Sequence, residues 1–429
     1  MALSRKVLAA GAALAALAAA SQASASGFYL QEQSARGAGR AYSGEVADSG
    51  AASLWWNPAA IAGVEHAEVY GGLHAVLVNS KVTNNGSTIT RPVPVTTPVG
   101  GTGTATDVIN DGVVPNFAGA WRLNDKIVVG LSMAAPYNFT TEYEANSWAR
   151  YDAIKSRLTT ADLQATLAYR VNDKLDLGVG ISGVYADAEL SNALPNASPL
   201  QGDGRQELTG DGWGYGWTVG AQFHATPALT FGASYRSKTE HTLKGDVAVS
   251  GILAPLPTTA NRTVAGEATI TTPWMATLGA RWAVTPKTTL NAQVARVGWS
   301  EFDAIRVTFA GGGSVSEQDY KDITTVAVGV DHQLTPRLTL RGGVQKDPTP
   351  TPDEGRTARV PDGDRMLYAV GATWAAKPNL NLDIAATYIA FDDSEIHRTD
   401  ATATGSSVTL NGLATGHATV LSTGVRWTF

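Results

Sequence analysis

From Trp213 the chain alternates residue by residue. Trp213, Tyr215, Trp217, Val219, Ala221 and Phe223 fall on one phase; Gly214, Gly216, Thr218, Gly220, Gln222 and His224 fall on the other. The pattern returns as Leu175, Leu177, Val179 and Ile181 against Asp176, Gly178, Gly180 and Ser182, and again as Leu338, Leu340 and Val344 against Thr339, Arg341 and Gln345. A further run sets Leu380, Leu382 and Ile384 against Asn381, Asp383 and Ala385. Period two predicts strands with one apolar face and one polar or small face. It persists to the end of the chain, where Leu421, Thr423, Val425, Trp427 and Phe429 share one face.

Between the strands a short turn pattern recurs six times, anchored on Asp125, Asp173, Pro227, Pro286, Pro336 and Pro378. Asn-Asp and Thr-Pro both form turns, because Asn and Asp fold back on their own backbone and Pro presets φ. Four places before each anchor stands a ring: Trp121, Tyr169, Phe223, Trp282, His332 and Trp374. Rings at a fixed offset from every turn predict an aromatic girdle at a membrane interface, which a soluble sandwich would not require. Tight turns on one side and long loops on the other predict an all-β antiparallel transmembrane β-barrel. With both barrel ends on the short-turn side, six turns imply 14 strands. The first is expected over residues 68–78, next to a partner near residues 116–121.

Composition sharpens this picture. Gly 45, Trp 11 and only 16% charged residues suit a barrel with an apolar outer face. A net charge of −6 excludes the basic face that nucleic acid wants. Cys 0 excludes disulfides and thiolate metal sites. Arg5 and Lys6, an apolar run over residues 7–20 and Ala23-Ser24-Ala25 predict a cleaved secretory signal over residues 1–25. That run is too short to cross a bilayer as a helix, which needs about 20 residues. Export, the girdle and the last strand ending in Trp427-Thr428-Phe429 predict an outer membrane. The terminal Phe429 resembles the signal read by the barrel-assembly machinery.

Residues 26–63 do not alternate. Rich in Gly, Ala and Ser, they are expected to form a mostly helical plug, or hatch, in the lumen of a barrel spanning residues 64–429. A lumen of this size exceeds what wall side chains can fill. Asn57, Pro58 and Ala59 form a rigid turn beside Trp55-Trp56.

The order and spacing of several stretches identify a resemblance: GFYLQEQSARGAGRAYSGEVA and NPAAIAG near the start, RYDAIKSRLTTADLQATLAYRVNDKLDLGVGISGVYADAEL over residues 150–190, and QKDPTPTPDEGRTARVPDGDR over residues 345–365. Across the exported chain it resembles the FadL-type outer-membrane transporters of long-chain fatty acids, which include carriers of toluene-type aromatic hydrocarbons. The resemblance implies a hatch with its Asn-Pro-Ala turn at Asn57, Pro58 and Ala59, and an inward kink in the third strand. It also implies that Phe28 sits where the ligand pocket meets that kink, with both termini periplasmic and a monomeric barrel in contact with bilayer lipid and lipopolysaccharide.

Site candidates follow from what breaks the alternation. Pro136 interrupts MAAPYNF and cannot donate to a ladder, so Pro136, Tyr137 and Phe139 are placed at the expected kink. Arg170, Arg236, Arg281, Arg341 and Arg426 fall on polar phases. Most are expected to pair with carboxylates such as Asp176 and Asp383; Arg170, Arg236, Arg281 and Arg341 are the candidates to hold a ligand carboxylate. Asp353, Glu354, Asp362 and Asp364 are expected in a solvated loop, their spacing being unlike a calcium hand. GAGRAYSG lacks the Lys-Ser/Thr of a phosphate loop. No catalytic constellation, metal set or cofactor motif appears, and the resemblance implies passive transport of a hydrophobic small molecule, most readily a fatty acid. Monoaromatic hydrocarbons are the alternative within the family. Outside it stand a general diffusion porin for polar solutes and a purely structural or adhesive barrel.

Overall fold

The computed structural model describes residues 27–92 and 95–429. The expected signal, residues 1–25, lies outside the described residues. The alternating segments close into an antiparallel barrel of 14 strands. In chain order these are β1 (Ala67–Asn84), β2 (Gly112–Arg122), β3 (Ile127–Ala134 and Phe139–Glu142), β4 (Lys155–Asn172), β5 (Leu175–Leu194), β6 (Gly204–Thr226) and β7 (Leu229–Arg236 and Thr239–Ser250). They continue as β8 (Arg262–Thr272 and Trp274–Thr285), β9 (Thr288–Gly298 and Ala304–Phe309), β10 (Gly312–Glu317 and Ile323–Thr335), β11 (Leu338–Asp347) and β12 (Arg365–Lys377). The last two are β13 (Leu380–Phe391 and Ser394–Ala401) and β14 (Ser407–Thr428). β1 pairs with β14 from Glu68↔Thr428 to Asn84↔Gly412 and closes the wall. β1 extends well past residue 78, because its alternation continues beyond the apolar band and β14 follows it.

All six anchors lie in the short turns, and the residue before each anchor explains several of them. Asn124 accepts from the Lys126 and Ile127 amides, and Asn172 from the Lys174 amide at 2.8 Å. The hydroxyls of Thr226, Thr285 and Thr335 accept from the amides of Ala228, Lys287 and Arg337. Trp121, Tyr169, Phe223, Trp282 and Trp374 are exposed on the outer wall, as the girdle requires. The Phe429 amide donates to Ala67 O at 2.9 Å, so both barrel ends lie at the short-turn end. No helix among the described residues is long and apolar enough to cross a membrane.

Residues 27–62 are buried, apart from Ser49, against the inward faces of the strands. Helical content is smaller than the sequence suggests: one turn, α1 (Ala35–Ala38), and 3-10 turns at Glu45–Ala47, Ala51–Ser53 and Pro58–Gly63. Short turns let successive carbonyls and amides reach the wall instead of each other. Glu68 of β1 accepts from the Ala51 amide, and Gln222 of β6 donates to Val46 O and Asp48 O.

Candidate functional site

β3 is broken at the place marked by Pro136. Below the break it pairs with β2 from Phe117↔Met133 to Arg122↔Val128. Above it, Ile109 bridges Thr141, and the Asn110 amide donates to Thr140 O. Between these limits residues 135–138 turn inward: the Leu30 amide donates to Pro136 O at 2.7 Å, and Tyr29 bridges Tyr137. The Tyr137 amide is satisfied by Thr160 Oγ1 of β4 at 3.0 Å. Residues 112–116 of β2 therefore have β1 on one side and no β3 ladder on the other. The ladder between β2 and β3 is interrupted there, and Pro136 sits inside the interruption.

Phe28 packs beside the break. Its ring is 6.1 Å from Tyr137, 5.7 Å from Phe139, 4.7 Å from Trp299 and 5.1 Å from Phe302. Trp299 and Phe302 come from a 3-10 turn in β9 (Trp299–Glu301) that sequence reasoning passed over. The signal was present, since Gly298-Trp299-Ser300-Glu301-Phe302 interrupts an otherwise regular strand. On the far side of Phe28 is a nearly all-apolar cavity of about 70 Å³, walled by Phe139, Leu158, Leu190, Leu243, Ile270 and Phe302. Arg359 and Gln318 also line it. A larger, mixed cavity of about 250 Å³ opens at the long-loop end; Tyr151, Asp152, Asn192, Arg398 and Asp400 line it, and Arg359 borders it too. Arg157 also borders the apolar cavity but pairs with Asp187 and Glu189 on the outward phase of its strand.

The four arginines chosen from sequence serve the 27–63 segment and the wall. Arg170 pairs with Asp176 at 3.3 Å and donates to Ala62 O. Arg236 binds Asp162 at 2.9 Å, donates to Trp55 O and lies 4.6 Å over the Trp55 ring. Arg281 bridges Asp48 and Asp331, and Arg341 pairs with the same Asp331 at 2.9 Å. None of the four lines the apolar cavity. Arg426 pairs with Asp383, as expected. The basic residue at the pocket is instead Arg359, from a loop where no period marks an inward face.

At the centre of the 27–63 segment, Asp48 Oδ2 receives Arg40 at 2.5 Å and Arg36 and Arg281 at 3.1 Å. Burial alone would raise the Asp48 carboxyl; Arg281, Arg36 and Arg40 outweigh it and hold the group well below its ordinary range. Asn57 caps the turn that begins at Pro58 by accepting from the Ala59 amide at 2.9 Å, while its own side-chain amide donates to Val46 O and to Ala221 O of β6. The wall is glycine where this turn touches it: a Cβ at Gly178 would lie 2.3 Å from the Pro58 carbonyl carbon. Arg122 holds the segment's end through Val64 O and Ala62 O at 2.6 and 2.7 Å.

The loop expected to be solvated is only partly so. Asp353 is exposed, but Asp362 is buried, because it accepts from the Gly27 amide at 2.8 Å and the Thr349 hydroxyl at 2.6 Å and pairs with Arg365. No group of three or more metal-ligating residues occurs among the described residues.

Residues 16–429 match the family described as outer membrane protein transport protein (OMPP1/FadL/TodX). Outer membrane protein P1 of Haemophilus influenzae is 28% identical, over 96% of this chain and 97% of its own length. The long-chain fatty acid transport protein of Salmonella typhi is 27% identical, over 86% of this chain and 88% of its own. Among solved structures, a Pseudomonas aeruginosa FadL homologue superposes with a TM-score of 0.84 at 22% identity, covering 94% of this chain and 100% of its own. The toluene transporter TodX of P. putida gives 0.67 at 16% identity, covering 93% and 99%. A girdled 14-stranded barrel, a buried N-terminal segment, an interrupted third strand and a match over nearly the whole chain converge: the protein belongs to the OMPP1/FadL/TodX family of Gram-negative outer-membrane transport proteins.

Proposed function

We propose that this barrel carries long-chain fatty acids passively across the outer membrane and releases them sideways into the bilayer. The observation that carries the reading is an apolar cavity lined by a guanidinium and by Phe28, whose ring also meets Tyr137 at the break in β3. An acyl tail gains about 0.8 kcal/mol per buried methylene in such a cavity. A carboxylate head is matched by a guanidinium fork in the lining. With the long-loop end outside, lipopolysaccharide bars apolar solutes from the outer leaflet, and the protein supplies a continuous nonpolar route. The short-turn end and both barrel termini then face the periplasm. Residues 27–63 act as the hatch that blocks a straight aqueous path, since Asp48, Asn57 and Ala62 are tied to the wall. No nucleotide or cofactor takes part.

The test compares palmitate with hexadecanol, which shares the tail and lacks the carboxylate. Arg359→Gln is expected to weaken palmitate binding by about tenfold and leave hexadecanol unchanged. Equal affinities in the native chain would turn the reading toward neutral hydrocarbons, which the fold shared with TodX also allows. A polar-solute porin is tested by liposome swelling in sugars: rapid swelling with the native chain would sink the hatch.

A further inference from the structure

The loop over residues 348–364 does not arch outward; it crosses the mouth of the lumen as a strap. Ala358 is fully buried, and Val360 and Arg359 form part of the cavity behind Phe28. One residue of the loop between β3 and β4 holds the strap by two contacts. Asp152 Oδ2 accepts from the Ala358 amide at 2.6 Å, while Asp152 Oδ1 faces Arg359 Nε at 3.5 Å. Tyr143 OH adds a bond to Ala358 O at 2.8 Å, and Arg359 donates to Ser156 Oγ at 3.0 Å.

Two features make this an exchangeable contact and not a static one. The Asp152–Arg359 pair is long beside the 2.7–2.9 Å of a good charge-assisted bond, and Asp152 itself lines the larger, open cavity. Arg359 is also under-compensated: burial pulls its guanidinium below the ordinary value, and Asp152 only partly offsets this. A solute carboxylate arriving from the open cavity meets a half-buried cation with a weak resident partner. The apolar cavity must also enlarge, since its roughly 70 Å³ is about half of a cavity known to hold one benzene. Lifting the strap would merge it with the 250 Å³ space above.

We propose that Asp152 is a specificity-determining residue, a resident carboxylate that stands in for the ligand's headgroup on Arg359. An incoming carboxylate displaces it, the strap loses its hold through Arg359, and the pocket opens. Ligands with the same tail and no carboxylate leave the strap shut. This rests on the fatty-acid reading above.

The native chain has Cys 0, so Ala358→Cys introduces a single thiol on the strap. In the purified full-length barrel, maleimide labelling at that thiol is expected to accelerate about tenfold with palmitate and to stay unchanged with hexadecanol. Asp152→Asn, which keeps an acceptor for the Ala358 amide and removes the charge, is expected to tighten palmitate several-fold without affecting hexadecanol. Equal acceleration by the two ligands, or an Asp152→Asn variant that weakens palmitate, overturns the exchange. If Arg359→Gln still reduces palmitate selectively in that case, the carboxylate reading survives and only the displacement falls. If Arg359→Gln changes nothing, the fatty-acid reading falls with it. Heat-modifiable mobility of each variant separates these results from a failure to fold.

Discussion

Asp48→Asn tests what keeps the 27–63 segment in the lumen. One oxygen of Asp48 faces three guanidiniums: Arg36 and Arg40 of the segment itself and Arg281 of β8. Two further carboxylates, Glu45 and Asp331, complete the cluster around Arg40. Neutralising Asp48 leaves an uncompensated positive charge in a buried site. Breaking a buried pair from one side costs about 3–5 kcal/mol, or roughly two to three and a half decades in a local opening equilibrium. Other anchors are independent of Asp48. Asn57 donates to Ala221 O, Arg122 to Val64 O and Ala62 O, and Glu68 accepts from the Ala51 amide. Hydrogen bonds to charged groups contribute about 1.5–3 kcal/mol each, so the remaining set exceeds the loss. The expected outcome is that amide exchange over residues 36–48 speeds up by about 10²–10³, while sugar permeation through proteoliposomes stays at the native level. Unchanged exchange would refute the electrostatic account of seating. Porin-like swelling would refute the claim that the other anchors suffice.

Phe28→Glu places a charge among Tyr137, Phe139, Trp299 and Phe302 and is expected to cut labelled-palmitate uptake at least tenfold, with heat-modifiable folding retained; native uptake would rule out the lateral route. Gly178→Val drives a side chain against Pro58 and is expected to displace the Asn57-Pro58-Ala59 turn, read as a sugar leak absent from the native barrel. Glu32 is buried with one oxygen on Tyr42 OH, and burial raises its carboxyl from 4.5 to about 7. The folded form therefore holds a proton that the opened form releases, so seating of the segment is best below about pH 4.5 and weakens as pH rises toward about 7. Glu32→Gln is expected to flatten that dependence in exchange measurements, and a profile as steep as the native one would exclude Glu32 as its source.

The barrel wall was legible in the amino-acid order because each strand needs only local information. Alternation sets which face meets lipid, and Asn124, Asn172 and the threonines before Pro227, Pro286 and Pro336 build each turn from neighbouring atoms. Counting turns therefore counted strands, and the apolar phase found the outer face. Pro136 marked the break in β3 for the same reason, since a missing N–H is a property of one residue. What the order of residues could not decide was which inward group meets which. Arg170 and Arg341 pair with Asp176 and Asp331, their cross-strand neighbours in a single hairpin, but Arg236 and Arg281 find Asp162 and Asp48 far away in sequence. Arg359 and Asp152 carry no periodic signal; they meet only because a long loop folds inward and its backbone at Ala358 is held by the side chains of Asp152 and Tyr143. Period and turn chemistry thus determine the wall. The closed tertiary structure alone decides the contents of the lumen, because burial and charge pairing there join segments that local sequence does not connect.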